Sequence, residues 1–293
     1  MRVINFGSLN IDHVYSVERF VQSGETLASS DYQQFFGGKG LNQSIALARA
    51  GVQVLHAGSV GSDGHNLIST LADNGVDVSL VNEVDGASGH AVIQVDKTGE
   101  NCIMLFGGAN QRTQEQSIFH ALDQAQKGDI LLLQNEINHL PLIIESASDR
   151  KIPIVFNPAP MSDAVLNYPL DKVDYLIFNQ TEGEALASQR GTDNILHRLR
   201  QEHHRCKLVL TLGSEGVIYQ HGEQKIRVDA VPTQAVDTTA AGDTFIGYFL
   251  AALSSGGDID HCLQVACKAS SICIQTAGAA NSIPYREQLG LIF

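Results

Sequence analysis

The sequence predicts an α/β protein built on a doubly wound, mostly parallel β-sheet that carries a small second β-sheet as a lid. Three observations lead there. Short, nearly continuous apolar runs recur at residues 3–6, 54–57, 130–133, 152–156, 175–178 and 208–212, as expected of strands buried on both faces of a parallel sheet. Stretches with helical spacing of apolar residues fall between them, at 42–50, 67–74, 115–126, 140–149 and 195–202. Strand–helix alternation over most of a chain argues an open sheet with helices on both sides. Two segments, about 12–36 and 90–106, break the alternation. The first has strand-like patches and no good helix. The second reads as a hairpin, residues 91–95 and 102–106 joined by Asp96-Lys-Thr-Gly-Glu100. Both adjoin glycine clusters, so a projecting β-layer is expected there, not a second globular domain.

Composition sets the outer limits. A chain of 293 residues with 43% hydrophobic residues and only 7 Pro can bury a full core and is not a disordered scaffold. Lys and Arg number 19 against 32 Asp and Glu, so the formal charge is 19 − 32 = −13. With no basic stripe to displace phosphate counterions, a general nucleic-acid partner is not expected. No apolar run is long enough for a membrane span. Met1 to Asn10 carries Gly7, Ser8 and Asn10 where a signal peptide needs an apolar stretch, so it reads as a first strand. The five cysteines are odd in number and form no CxxC pair. They are expected as small buried hydrophobes in a reduced cytoplasm. His203-His204 beside Cys206 has no second ligand cluster at suitable spacing and reads as a solvated helix end.

Chemistry is concentrated in three short stretches. Phe36-Gly-Gly-Lys-Gly-Leu-Asn42 runs directly into a helix. Its glycines permit close approach of a ligand, and the helix N-terminus favours an anion or a hydroxyl-rich molecule. Lys39 is not a Walker A lysine, because no Ser or Thr follows it. Val236-Asp-Thr-Thr-Ala-Ala-Gly-Asp-Thr-Phe245 opens a long apolar helix. The small residues Ala240, Ala241 and Gly242 there would turn backbone N–H groups toward open space at a positive helix end, the makings of an anion hole. Asp243 either caps that helix or stands as a base beside a transferring phosphoryl group. Asn179 and Glu182 follow a buried strand, at the sheet edge where such folds bind ligands. They suit a hydrated magnesium ion, or equally a capping box, which the spacing alone favours. Thr211-Leu-Gly-Ser-Glu-Gly216 is a turn on the same rim.

In this order and separation the segments resemble the ribokinase, or pfkB-type, sugar kinase family, from Asn5 to about Pro284. Residues 36–42 and 237–245 carry the resemblance most specifically, and Ala-Ala-Gly-Asp at 240–243 follows the ribokinase branch. It implies one kinase domain over 1–293 with the lid segments inserted, and transfer of the ATP γ-phosphate to the primary hydroxyl of a pentose, D-ribose first. Deoxyribose, a ketohexose or a nucleoside are the alternative substrates, and a sugar sensor without turnover the alternative class. By position, Asn10 and Asp12 would bond sugar hydroxyls, with Gly38, Lys39 and Asn42 enclosing the sugar and Glu136 completing the pocket. Asp243 would be the base. Asn179, Thr211, Gly213, Ser214, Gly216, Gly242 and Cys267 would serve ATP, and Glu182 would hold magnesium through water. Asp237, Thr239, Cys273, Thr276, Gly278 and Ser282 would surround a potassium ion, Cys273 through its carbonyl. The reading of residues alone gives equal weight to Asp237 as a turn cap. Ile246 and Cys267 depart from the family's usual polar residues. A homodimer through the β-lid is expected, since a small isolated sheet leaves open edges.

Overall fold

Strands whose residues alternate between two apolar environments must lie inside a sheet covered on both sides, and that is how the chain is arranged. The structure, a computed structural model, describes residues 1–290. The chain runs from β1 (Arg2–Phe6) to β2 (Asn10–Ser16) and β3 (Asp31–Gly37), then α1 (Lys39–Arg49), β4 (Gln53–Val60), α2 (His65–Asp73) and β5 (Asp77–Glu83). It continues through β6 (Gly89–Val95), β7 (Asn101–Phe106), α3 (Glu115–Asp123), β8 (Ile130–Gln134), α4 (Leu140–Asp149), β9 (Ile154–Asn157) and β10 (Tyr175–Asn179). The last part holds α5 (Gln180–Ala187), α6 (Thr192–Glu202), β11 (Lys207–Thr211), β12 (Val217–His221), β13 (Gln224–Val228), α7 (Ala241–Ser254) and α8 (Ile259–Cys273).

Nine strands form the main sheet in the order β13-β12-β11-β10-β9-β8-β1-β4-β5. Seven are parallel, and β12 and β13 close one edge as an antiparallel hairpin. Val3, Val54 and Leu132 face one core, shared with α1, α2, α7 and α8. Ile4, Leu55 and Leu133 face the other, shared with α3, α4, α5 and α6. Each predicted apolar run therefore contains a doubly buried strand, with β9 starting only at Ile154 and β11 ending at Thr211.

The order also fixes where a ligand can sit. From β1 the chain winds outward through β4 and β5, returns to β8 on the other side, and then winds the opposite way. The crevice at the carboxyl ends of β1 and β8 is thus the topological switch point, the place where such sheets bind ligands. A second sheet, ordered β3-β2-β6-β7, stands beyond that end. It is assembled from the two segments that broke the alternation, beginning at Asn10 and Gly89.

Four of the five cysteines are buried, but Cys102 is exposed on β7, against the expectation for all five. The reason is the setting: β7 is an edge strand of the small sheet, and all six of its residues are exposed. His203 is half-buried at the C-cap of α6, less solvated than its spacing suggested. Among the described residues no helix is long and apolar enough to cross a membrane.

Candidate active site

The helix α1 begins three residues earlier than its apolar periodicity indicates, because its first turn, Lys39-Gly-Leu-Asn42, carries a single large apolar residue. Gly38, its N-cap, takes φ 94°, a conformation that favours glycine. A Cβ on Gly40 would stand 2.3 Å from the Ser8 nitrogen, so the helix is pressed onto the turn between β1 and β2. That contact gathers polar groups from distant segments. Glu136, after β8, accepts the Ser8 hydroxyl and, at 2.9 Å, the Lys39 backbone N–H. Asn110 accepts the Leu9 N–H at 2.9 Å and donates to Asn10 Oδ1 at 2.7 Å. The Asp12 carboxylate lies over Gly37, where a Cβ would come within 2.5 Å of Oδ2. Asn10, Asp12, Lys39 and Glu136, predicted as sugar contacts from three separate stretches, thus meet at the switch point.

The electrostatics of this pocket are strained by burial. Asp12 is pushed up to about 6, first by desolvation and then by the charge of Glu136. Burial likewise raises Glu136, against the opposing effects of Ser8 and Lys39. Burial disfavours the charge on Lys39, yet Asp243, Glu136 and Glu182 together outweigh it and hold its pKa above the ordinary value. One ammonium is therefore shared among three carboxylates.

At the start of α7, Ala240 occupies the left-handed region at φ 59°, sparsely used by residues with a Cβ. The Ala241 N–H donates to Thr238 O at 3.2 Å, so of the predicted anion hole it is already engaged. The N–H groups of Gly242 and Asp243 make no hydrogen bond within the chain among the described residues, and Gly242 faces open space. Asp243 is not a cap. Its Oδ2 accepts Asn42 Nδ2 at 3.0 Å and its Oδ1 accepts Gln43 Nε2 at 2.9 Å. Asn42 Oδ1 is buried without a partner among the described residues.

On the other side of Gly242 lies a cavity of about 610 Å³ lined by Thr211, Gly213, Ser214, Gly216, Gly242 and Cys267, six of the seven residues predicted to serve ATP. Phe245 and Ile274 give it apolar walls. Asn179 does not line it. Instead Asn179 and Glu182 form a reciprocal capping box at α5: Asn179 Oδ1 accepts the Glu182 N–H at 2.9 Å, and Glu182 Oε2 accepts the Asn179 N–H at 2.9 Å. Ile246, 3% exposed, belongs to the core and not to the cavity wall.

Asp237 ties the two segments predicted around a cation. Its Oδ1 accepts the Thr239 N–H at 2.9 Å and hydroxyl at 2.7 Å, and its Oδ2 accepts the Gly278 N–H at 2.8 Å. Cys273 Sγ lies 3.1 Å from Ser282 Oγ and 3.8 Å from Thr239 O. Cys273 O accepts the Thr276 N–H at 3.2 Å. Asp237 is thus both the turn cap of one reading and the neighbour of the oxygen-rich loop of the other.

Sequence reasoning missed a buried polar layer beneath the site: Asn5, Gln43, His56, Gln134 and Asn157. A signal was present. Asn5 and His56 sit inside runs otherwise apolar, and a polar side chain inside a doubly buried strand must have a partner.

A nucleotide-sized cavity and a polar pocket rich in hydroxyl acceptors meet at one carboxylate, which defines a phosphotransferase acting on a hydroxyl compound. Comparison with known proteins agrees and narrows the class. The pfkB family carbohydrate kinase profile matches residues 2–286. The chain is 35% identical over 299 residues to the ribokinase of Haemophilus influenzae, covering 96% of this chain and 95% of that one. The structure of Arabidopsis thaliana ribokinase complexed with ribose and ATP matches with TM-score 0.89 at 29% identity, over 99% of this chain and 98% of that one. Thermotoga maritima ribokinase matches with TM-score 0.89 at 31% identity, over 99% and 98%. The chain belongs to the pfkB family of carbohydrate kinases and is an ATP-dependent sugar kinase.

Proposed function

We propose that the sugar is a free pentose, D-ribose first, phosphorylated on its primary hydroxyl to ribose 5-phosphate, with Asp243 as the general base. The observation that carries this reading is the place of Asp243, one residue from the Gly242 wall of the nucleotide cavity and hydrogen-bonded to Asn42 at the sugar pocket. Carboxylates accept hydroxyl hydrogens, so Asp12 and Glu136 suit a neutral polyol. A sugar phosphate would call for a guanidinium or further ammonium groups.

In the reaction the substrate hydroxyl passes its proton to Asp243 as its oxygen attacks the γ-phosphorus. The bond from that phosphorus to the β-phosphate oxygen breaks and ADP leaves. The N–H groups at the start of α7 receive the transferring phosphoryl oxygens. Among the described residues no group of three or more His, Cys, Asp or Glu side chains is placed to hold a metal. Glu182 would hold a magnesium ion through water: its carboxylate is buried, and although both oxygens already accept from Asn179, each keeps a further lone pair for a bridging water. The ion would neutralise phosphate charge. Potassium would sit between residues 237–239 and 273–282, where Asp237 supplies a formal charge and the chain supplies carbonyls. The protein is read as cytoplasmic.

ADP release with ATP and magnesium, measured against ribose, 2-deoxyribose, fructose and a nucleoside, tests the substrate. Ribose should give the highest kcat/KM, and a higher value for any of the others would replace it. Potassium should raise turnover at saturating ATP and ribose more than sodium does, and Asp237→Ala should abolish the response. Equal rates with and without potassium would leave Asp237 as a cap only.

A further inference from the structure

The carboxylate proposed as base is held from below by a chain of buried amides whose hydrogen-bond direction is fixed at its far end. His56 is fully buried, and burial pushes its pKa down to about 4, so its ring is neutral. Its Nε2 lies 3.2 Å from the Gly7 carbonyl, which only an N–H can satisfy. Nδ1 is then an acceptor, and the Ser44 hydroxyl donates to it at 2.8 Å. The Ser44 oxygen in turn accepts Asn5 Nδ2 at 2.8 Å, and the same amide donates to Gly40 O at 2.9 Å. Asn5 Oδ1 must therefore accept, and Gln134 Nε2 donates to it at 2.8 Å and to Gln43 Oε1 at 2.7 Å. This leaves Gln43 no choice. Its Nε2 faces Asp243 Oδ1 at 2.9 Å, with Asn157 Oδ1 at 3.4 Å as a second acceptor.

We propose that Gln43 is the positioning residue of the base: it pins Oδ1 of Asp243 and leaves Oδ2, the oxygen shared with Asn42, as the atom that takes the substrate proton. The inference rests on Asp243 being the base. Gln43 is fully buried, one helical turn after Lys39 on α1, and bonds to Asp243, so it touches the reaction through that carboxylate. An amide flip would set its oxygen against a carboxylate, and the anchored chain forbids it. A buried donor of this kind stabilises a charged partner more than a neutral one. The charged groups around Asp243, namely Lys39 of α1, Glu136 after β8 and Glu182 of α5, give field but no bond to Oδ1.

The test is Gln43→Met, of similar length without a donor. It should lower kcat roughly ten- to a hundredfold, with the KM values for sugar and ATP within about twofold. In an Asp243→Asn background the same change should cost nothing further. Gln134→Met removes the anchor without touching Asp243. It should give a smaller loss with the same split, and keeps the question open to test if Gln43→Met fails to fold. Parental kcat in the folded Gln43→Met or, should that variant not fold, in Gln134→Met would overturn the proposal. So would a loss of undiminished size on top of Asp243→Asn. Parental turnover in Asp243→Asn alone would instead remove the base reading.

Discussion

Asp12 is kept at the proposed sugar pocket at a cost to the fold. Its pKa is about 6 in the folded chain against an ordinary value of 3.8, so the folded state holds the proton more tightly than the unfolded one. The sign follows. The protonated form's advantage is fully present below the ordinary value and is lost as pH rises through about 6. Above that the empty pocket carries a penalty of at most about 3 kcal/mol. Asp12→Asn should therefore raise the stability of the sugar-free protein near neutrality and leave it nearly unchanged at about pH 3, below the ordinary value, as read by chemical denaturation at the two values. An equal change at both would show that the charge is not the cause. The same variant should lose ribose affinity by calorimetry, because an acceptor carboxylate becomes an amide. In the parent, affinity should weaken as pH falls through about 6. Asp243 answers to a different measurement. Asp243→Asn should lower turnover ~10²–10⁴-fold while nucleotide still binds, and near-parental turnover in a folded variant would reject the base.

The helices α1 and α7 bring the two halves of the site together, and a single glycine sets their distance. A Cβ on Gly247 would meet Ala46 Cβ at 2.4 Å and the Leu47 nitrogen at 3.0 Å. One turn earlier on each helix stand Asp243 and the pair Asn42 and Gln43. Gly247→Ala should force the helices apart, costing about 1–3 kcal/mol of stability. It should also lower kcat by up to ~10²-fold, since misplacement by about 1 Å is enough. Ala46→Gly should recover part of the lost kcat, since it removes the 2.4 Å contact but leaves the backbone contacts at 3.0 Å. Failure of that rescue would mean that the crossing does not position the base. This crossing was not legible in the sequence, where Gly247 is one small residue in a long apolar helix. The strands were legible, because burial on two faces writes an apolar run that no exposed element would carry. The proposed sugar contacts were legible only as separate stretches: Asp12 and Glu136 become neighbours through the reversal of strand order between β1 and β8, and periodicity holds no record of strand order. Gln134 escaped notice for a local reason. It ends a run of four apolar residues, and a polar residue at a strand end is commonly just a terminus.

At the scale of the whole molecule, the small sheet leaves a face that this chain does not cover. In register, Asp12 lies between Phe35 on β3 and Ala91 on β6, and Ala91 pairs with Leu105 on β7. Laterally paired residues point to the same side of a sheet, so Phe35 and Leu105 share the side of Asp12. They are 37% and 52% exposed, and Ile103, two residues before Leu105, is 56% exposed. The outer edge of β7 has no neighbour strand among the described residues. An edge strand carrying four consecutive apolar residues, 103–106, invites pairing with another chain. We therefore expect a homodimer in which the small sheets of two copies cover one another. The overlap with Asp12 adds a functional consequence, because a partner seated on Phe35 and Leu105 would also keep water from the sugar pocket. Ile103→Lys with Leu105→Lys should shift sedimentation from dimer to monomer, since buried unpaired ammonium groups are costly. The same variant should raise the KM for ribose more than the KM for ATP, whose cavity lies across Gly242. A parental particle that is monomeric at high concentration would dispose of the dimer. A monomeric variant with parental ribose KM would keep the dimer and remove its role in closing the pocket.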